Sequence, residues 1–186
     1  MRILARTAFI LATLSAASAV QAQDPSDTDS GSFAVIGTVP VLCSGGTING
    51  DGTFDFGVLV DTSTGFLLTD LEAPAQTMSG AFCSARSTIT IAATPMAAQN
   101  YLATPPAGFA RTVDYTATAT GWTPVAASVD TAGTNTANAT QERDDAFTGD
   151  IVVTVTNLST TGGATLRPVA DSDYRGTVTV TLAAQS

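Results

Sequence analysis

The strongest constraint on this chain is a repeated alternation of apolar and polar residues in short segments. Apolar side chains at every second position lie on one face of an extended strand, because successive side chains of a strand point to opposite faces. The alternating stripes are Phe33, Val35, Val39 and Val41; Phe54, Phe56, Val58 and Val60; Ile89, Ile91 and Ala93; Val113, Tyr115, Ala117 and Ala119; Ile151, Val153 and Val155; and Val178, Val180 and Leu182. Each stripe predicts a strand with one face in a core.

Turn-forming residues separate these segments, as at Asn49-Gly50, Pro105-Pro106 and Gly162-Gly163. The chain is rich in Thr, Val, Ala and Gly and contains no lysine, which favours pleated sheet over helix. About seven to nine short strands at this spacing are typical of an antiparallel sandwich with threonines on its outer faces. The sequence therefore predicts an all-β, two-layer antiparallel sandwich without a convincing helix.

The N-terminus has the layout of a secretory signal peptide. Arg2 and Arg6 precede an apolar stretch, and small residues lead to Ala22. A transmembrane helix would need roughly 20 uninterrupted apolar residues, and threonines and serines interrupt this stretch. We expect residues 1–22 to be removed, residues 23–31 to form a disordered lead-in, and residues 32–186 to form one secreted domain in the periplasm or at the cell surface.

The net charge argues against several classes of partner. Without residues 1–22, five of the seven arginines remain against sixteen acidic residues, which gives a formal charge of −11. Such a chain repels phosphate backbones and anionic lipid. We therefore expect neither nucleic-acid binding nor direct membrane insertion.

Cys43 and Cys83 are the two cysteines of the chain. In a chain that enters an oxidising compartment, they predict a single disulfide. The alternative is a thiol nucleophile or a metal-binding pair. That alternative has neither a Cys-x-x-Cys spacing nor a histidine to support it.

The sequence offers little catalytic chemistry. Histidine is absent, which removes the commonest general base and every triad built on it. The carboxylate pairs Asp51 with Asp55 and Asp144 with Asp145 are better explained as turn acids, since a glycosidase would need a cleft lined by aromatic residues. Segment 47–55 resembles a calcium-binding loop but lacks its final bidentate acid, so a hairpin turn explains it more simply. We predict no catalytic residue, metal or cofactor.

Two loop regions leave a binding function open. Residues 129–146 are polar and longer than a usual hairpin loop, and are interpreted as a mobile loop or as a binding loop on a rigid sandwich. Trp122 is the single tryptophan and lies close by in sequence. The alternative function is therefore a self-contained extracellular binding module or adhesin that uses the loops around Trp122 and residues 129–146.

The order of features resembles the bacterial spore coat protein U and fimbrial subunit group. These features are the secretory signal, an alternating strand that leads directly to Cys43, Phe56-Gly57 in the next strand, Cys83 just before "STITIAA", and the closing "DYRGTVTVTLAA". The resemblance implies an immunoglobulin-like, pilin-like sandwich that lacks one strand. It also implies a non-enzymatic structural subunit, with other copies or related subunits, a periplasmic chaperone and an outer-membrane usher as partners.

The strand-exchange candidates lie near the two ends of the domain. Phe33, Val35, Gly37, Val39 and Val41 would be donated, and Val178, Val180 and Leu182 lie on the closing strand. Gly37 would mark a close backbone approach, and Pro40, which has no N–H, would suit the end of pairing. Residues 32–42 are predicted either as the first strand of their own sheet or as a strand added to a neighbour's open edge.

Overall fold

The computed structural model describes residues 30–133 and 136–185. The predicted signal peptide and all but the last two residues of the predicted lead-in lie outside this part of the chain. The strands of the described residues are β1 (Cys43–Ser44), β2 (Thr47–Asn49), β3 (Gln76–Cys83), β4 (Ser87–Ala98), β5 (Phe109–Ala110), β6 (Thr112–Thr120), β7 (Ala127–Asp130), β8 (Thr140–Arg143), β9 (Phe147–Thr160), β10 (Arg167–Pro168) and β11 (Tyr174–Ala184). The described residues contain no helix, and so none that could cross a membrane.

Nine of these strands form one sheet that divides into two branches. In the first branch β1 and β2 pair with β3, which is followed by β9, β6 and β7. In the second branch β4 lies between β8 and β11. The branches meet where Met96 and Ala97 of β4 pair with Val113 and Thr112 of β6. All of these pairings are antiparallel, and only the two-residue pairing of β5 with β10 is parallel.

The alternating stripes of both branches point into one apolar core. Ile89 and Ile91 of β4 are buried together with Val113 of β6 and Ile151 of β9, so the two branches cover each other's apolar faces. Trp122 packs edge-on against Phe147, with 5.2 Å between ring centroids. The all-β antiparallel prediction is confirmed, and the two packed branches agree with the predicted sandwich.

A disulfide joins the first strand of the sheet to β3. Cys43 lies opposite Cys83 in the β1–β3 register, and the bond between their sulfurs confirms the predicted pairing. β1 and β2 are short, so few hydrogen bonds hold this edge to β3. The cross-link therefore anchors the start of the sheet to a strand that is also paired with β9.

The strand predictions succeed where the chain supplies a partner strand. The stripes that begin at Ile89, Val113, Ile151 and Val178 fall on β4, β6, β9 and β11. The strand predicted over Phe54 to Val60 is wrong, since only Val60 makes a β-bridge, to Leu67.

The alternation rule also missed five strands of the sheet, namely the two- and three-residue β1 and β2 and the strands β3, β7 and β8. β3 was not recognised because its pairing with β9 is irregular between Met78 and Ala81, where Gly80 has a φ of 70°. This irregularity interrupts the two-residue alternation of apolar side chains. The segment predicted as a continuous loop over 129–146 contains the end of β7 and all of β8. Because β7 and β8 are only four residues long, they carry too few alternate positions for a stripe to be recognised.

The chain forms two compact units, residues 1–38 and residues 39–186. In the first unit the described residues, 30–38, form no strand and are exposed. The second unit contains every strand of the described residues and the disulfide. That residues 32–186 form a single domain stays a prediction.

The disulfide makes a testable contribution to stability. Closing a loop of this length is worth about 4 kcal/mol on the chain-entropy model, because it restricts the unfolded chain. We expect the C43S/C83S double variant to unfold at a lower urea concentration by a corresponding amount, with the fluorescence of buried Trp122 as the signal. The control is the reduced wild-type chain, which should match the double variant. Equal stability of the oxidised and reduced chains would contradict the prediction.

Candidate functional site

β11 lies at the edge of its sheet and carries an apolar stripe. It pairs with β4 from Tyr174 to Ala184, and no other strand of the described residues pairs with its second edge. Val178, Val180 and Leu182 are half-buried and pack against the core. An edge with unpaired backbone N–H and C=O groups next to apolar side chains is a template for a further strand.

An apolar cleft opens beside the first half of β11. Its volume is about 1070 Å³. Its apolar lining includes Phe54, Phe56, Val58, Leu59, Met96, Phe109, Tyr115, Val155, Tyr174 and Val178. We call the cleft together with the free edge of β11 the groove. Of the predicted closing-strand residues, Val178 lines the cleft, whereas Val180 and Leu182 lie farther along the same edge.

Residues 53–59 form the opposite wall of the groove without joining a strand. Asp51 accepts a hydrogen bond from the backbone N–H of Thr53 at 3.0 Å, and Asp55 accepts one from that of Gly57 at 2.8 Å. These local bonds are Asx turns, so both carboxylates stabilise loop backbone, as the turn interpretation predicts. The side chains of Phe54 and Phe56 pack against the core, but this wall contributes no strand that pairs with β11.

The predicted donor residues are exposed to solvent, as is their neighbour Ile36. Phe33 is 93% exposed, Val35 97% and Val39 83%, and Gly37 is exposed as well. Val41 is about half exposed. None of these residues belongs to a strand, so the interpretation of residues 32–42 as the first strand of the chain's own sheet finds no support in the described residues.

Ser84 fixes the chain directly before Cys43. Its side-chain oxygen accepts a hydrogen bond from the N–H of Leu42 at 3.0 Å and donates one to the carbonyl of Pro40 at 3.3 Å. The N–H of Ser84 also donates to the carbonyl of Leu42 at 2.9 Å. We call these contacts the Ser84 clamp. It holds residues 40–42 on the second unit, next to the disulfide.

Tyr115 supports the edge strand from the other branch of the sheet. Its hydroxyl group lies 2.7 Å from the carbonyl oxygen of Thr94 on β4 and 3.2 Å from that of Thr177 on β11, so it can donate to either. The β11–β4 register shifts between Arg175 and Thr177, beside this hydroxyl. Tyr115 therefore holds the bulged start of β11 against the core.

The other candidate side chains have structural partners. Asp144 forms a 3.1 Å ion pair with Arg86, which also contacts Glu142 at 3.0 Å. Trp122 is 1% exposed and donates a 3.2 Å hydrogen bond to Ser87, so its ring cannot contact a ligand at the surface. In the described ranges no group of three or more Cys, Asp or Glu side chains is arranged to hold a metal ion.

Sequence reasoning missed part of the groove. Phe109 follows a turn rather than an alternating stripe, and Leu59 breaks the stripe that begins at Phe54, so neither carried a recognisable signal. Tyr115 was placed on a core-facing stripe, but its contact with β11 depends on tertiary packing. A pattern along one strand cannot show which distant strand a side chain reaches.

Comparison with protein-family models, curated proteins and solved structures gives no match for this chain. The resemblance to the spore coat protein U and fimbrial subunit group therefore rests on the motifs quoted above, and it enters below as part of a proposal.

Alkaline pH tests the packing of the groove. Burial raises the pKa of Tyr115 to about 12, and burial together with the nearby charge of Asp171 raises that of Tyr174 to about 12. Unfolded tyrosine loses its proton near pH 10, so these phenols favour folding below pH 10 and this contribution is lost as the pH rises to 12. For buried Tyr115 the expected loss is about 2 kcal/mol. Urea unfolding between pH 8 and pH 12 measures it.

Tyr115→Phe is the matched control for this effect. The variant should be less stable at pH 8 because it loses the hydroxyl contacts with β4 and β11, and it should lose less stability than the wild type between pH 10 and pH 12. An identical pH dependence in both chains would contradict the assignment to Tyr115.

Proposed function

We propose that this chain is a secreted, non-enzymatic structural subunit of a fimbria-like or coat-like surface assembly, and that it polymerises by β-strand exchange. The observation that carries the proposal is a mismatch within one chain. Among the described residues, the alternating apolar segment 33–41 has no partner strand, and no strand pairs with the second edge of β11 beside the apolar cleft. In a pair of copies, the segment 33–41 of one copy can pair with the edge of β11 of the other.

The dimensions of the donor segment and the acceptor edge agree. Phe33 to Val41 and Tyr174 to Leu182 each span nine residues, or about 27 Å of extended strand. In each stretch apolar side chains recur at alternate positions on one face, and each contains a glycine, Gly37 or Gly176. Because the Ser84 clamp holds residues 40–42 on the donor itself, residues 33–39 are free to be donated and would meet about seven of the eleven residues of β11.

The energetics favour such an addition. Phe33, Val35 and Val39 are almost fully exposed, and burying a Val or Phe side chain contributes roughly 1.5–3 kcal/mol. The main-chain hydrogen bonds of an added strand supply further affinity, while the alternate side chains give specificity. The donor segment carries no charged residue between Ser32 and Leu42, so no charge would have to be desolvated on that side of the new interface.

The proposed partners follow from the same edge and from the resemblance to fimbrial subunits. Other copies or related subunits would supply the donated strand. A periplasmic chaperone would cover the groove before assembly, since an open apolar edge promotes unwanted pairing, and an outer-membrane usher would receive the subunit. The disulfide supports an oxidising compartment such as the periplasm or the cell surface.

The alternative of a binding module or adhesin has weaker support. Trp122 is buried, so the alternative would depend on the exposed residues of the loop that follows it and on the loop between β7 and β8. The engagement of Asp51 and Asp55 in turns and of Asp144 in an ion pair supports a non-enzymatic role for these acids.

Two neighbouring substitutions test strand exchange. Val35→Asp places a charge on the donated apolar stripe, whereas Ile36→Asp places the same charge on the other face of the same strand. Both side chains are more than 90% exposed, so neither change should impair folding. We expect the wild type and I36D to form ladders of oligomers in size-exclusion chromatography with light scattering. V35D should associate at least about tenfold more weakly, because a buried carboxylate is costly.

A synthetic peptide of residues 30–42 provides the complementary test. Added to the full-length V35D chain, which keeps its own groove but cannot donate, the peptide should bind and raise the unfolding midpoint by mass action. A wild-type chain that stays monomeric at high concentration, together with no peptide binding to V35D, would contradict the proposed function.

A further inference from the structure

The second unit, residues 39–186, has two distinct poles along β11. At the Cys43 pole, Ala184 at the end of β11 pairs with Ser87 at the start of β4, and Gln185 donates a 2.8 Å hydrogen bond to the carbonyl of Arg86. The Ser84 clamp and the disulfide lie at this pole because Cys83 ends β3 and Ser84 lies in the short turn from β3 to β4. The Tyr174 pole is the opposite end, where Ala98 pairs with Tyr174.

The position of the clamp sets the direction of strand addition. The free part of the donor segment, residues 32–39, starts from the Cys43 pole, since Pro40 and Leu42 are held there. A donated strand parallel to β11 would place the body of the donor copy at the acceptor's Cys43 pole. The acceptor's own donor segment starts at that pole, so the pole would not be free. An antiparallel strand brings that body to the Tyr174 pole and leaves the Cys43 pole free. Only the antiparallel arrangement allows head-to-tail growth.

The clamp also leaves no linker between the donated strand and the donor's body. Leu42 is bonded to Ser84 through both its N–H and its carbonyl, and Cys43 follows in the disulfide. Each residue of extended chain spans at most about 3.6 Å. When the free residues 33–39 lie on the edge of β11, the Cys43 pole of the donor is therefore brought against the acceptor on the side of its Tyr174 pole.

The Tyr174 pole carries an exposed apolar side chain on a firmly held loop. Leu102 is 80% exposed and does not line the cleft. The residues before it are fixed by Asp171, which accepts hydrogen bonds from the N–H groups of Asn100 at 2.7 Å and Tyr101 at 2.9 Å, and from the side-chain amide of Asn100 at 2.9 Å. The exposed side chain of Leu102 is therefore available at this pole for contact with a second body.

An apolar side chain is also exposed towards the Cys43 pole. Val125 is 60% exposed in the loop that follows Trp122. Trp122 is bonded to Ser87 at the start of β4, and its carbonyl accepts a 2.5 Å hydrogen bond from Arg143, so this loop lies towards the Cys43 pole. Each pole therefore has an apolar loop residue available for contact.

We infer that the Tyr174 pole of one copy docks onto the Cys43 pole of the next, in a body-to-body interface that contains Leu102 and is separate from the groove. This inference rests on the proposed function, because the donated strand delivers the second copy. The interface is heterologous: two different surfaces of the same chain meet, and each copy keeps one surface for its next neighbour. Subunit addition then depends on the body contact as well as on the strand.

Leu102→Asp tests this interface, with Ile48→Asp as the control. Ile48 is about half exposed on β2, where it pairs with Met78 of β3 in the other branch of the sheet from β11. We expect L102D to weaken the association of full-length chains by about tenfold, the effect of losing one central apolar contact. Val125→Asp should act in the same direction. I48D should form oligomers like the wild type.

The peptide of residues 30–42 separates this inference from the proposed function. The peptide carries the strand but no body, so its affinity for the V35D chain should change by less than about twofold when L102D is added. Peptide binding that is kept, together with weakened chain association, supports the interface. Unchanged association of L102D chains would overturn the inference and leave strand exchange intact. Peptide that fails to bind V35D would instead overturn the proposed function.

Discussion

The unpaired edge of β11 is the constraint on which the rest of this structure depends. Backbone N–H and C=O groups need partners when they lie beside buried apolar surface. On one side β4 supplies them along the whole strand, and on the other side the described residues supply no strand. The wall formed by residues 53–59 contributes side chains to the cleft, but its Asx turns use its backbone locally. Among the described residues, β11 is thus paired with a strand on one edge only.

The disulfide and the Ser84 clamp connect this open edge with the N-terminal segment. They fix residues 40–43 at the pole where β11 ends, so the segment that could complete a neighbouring sheet starts at a defined point of the unit. The same cross-link reaches β3 and through it β9. In a strand-exchanged fibre, the disulfide would transmit force on the donated strand to β3 and β9, so that this force would not separate the short β1 and β2 from the sheet.

Long regular stripes became strands where the chain supplies a partner and did not where a partner is missing, whereas β3, β7 and β8 have partners but carry no readable stripe. The stripes at Ile89, Val113, Ile151 and Val178 are long and regular, and each became a strand. Residues 53–60 and 32–42 alternate equally well but form no strand, because alternation shows which face of a segment is apolar, not whether a neighbouring edge is available. The cleft, the Ser84 clamp and the role of Tyr115 depend on contacts between distant residues, and no local pattern encodes them.

Amide hydrogen exchange along β11 is the most direct measurement of the central claim. The full-length V35D chain, alone and saturated with the peptide of residues 30–42, would be compared by mass spectrometry over residues 174–184. The account predicts that alternate amides of β11, those that face away from β4, exchange quickly in the chain alone and become protected when the peptide binds. Uniform protection of β11 before the peptide is added, or exchange that saturating peptide does not change, would contradict the claim that this edge accepts a strand.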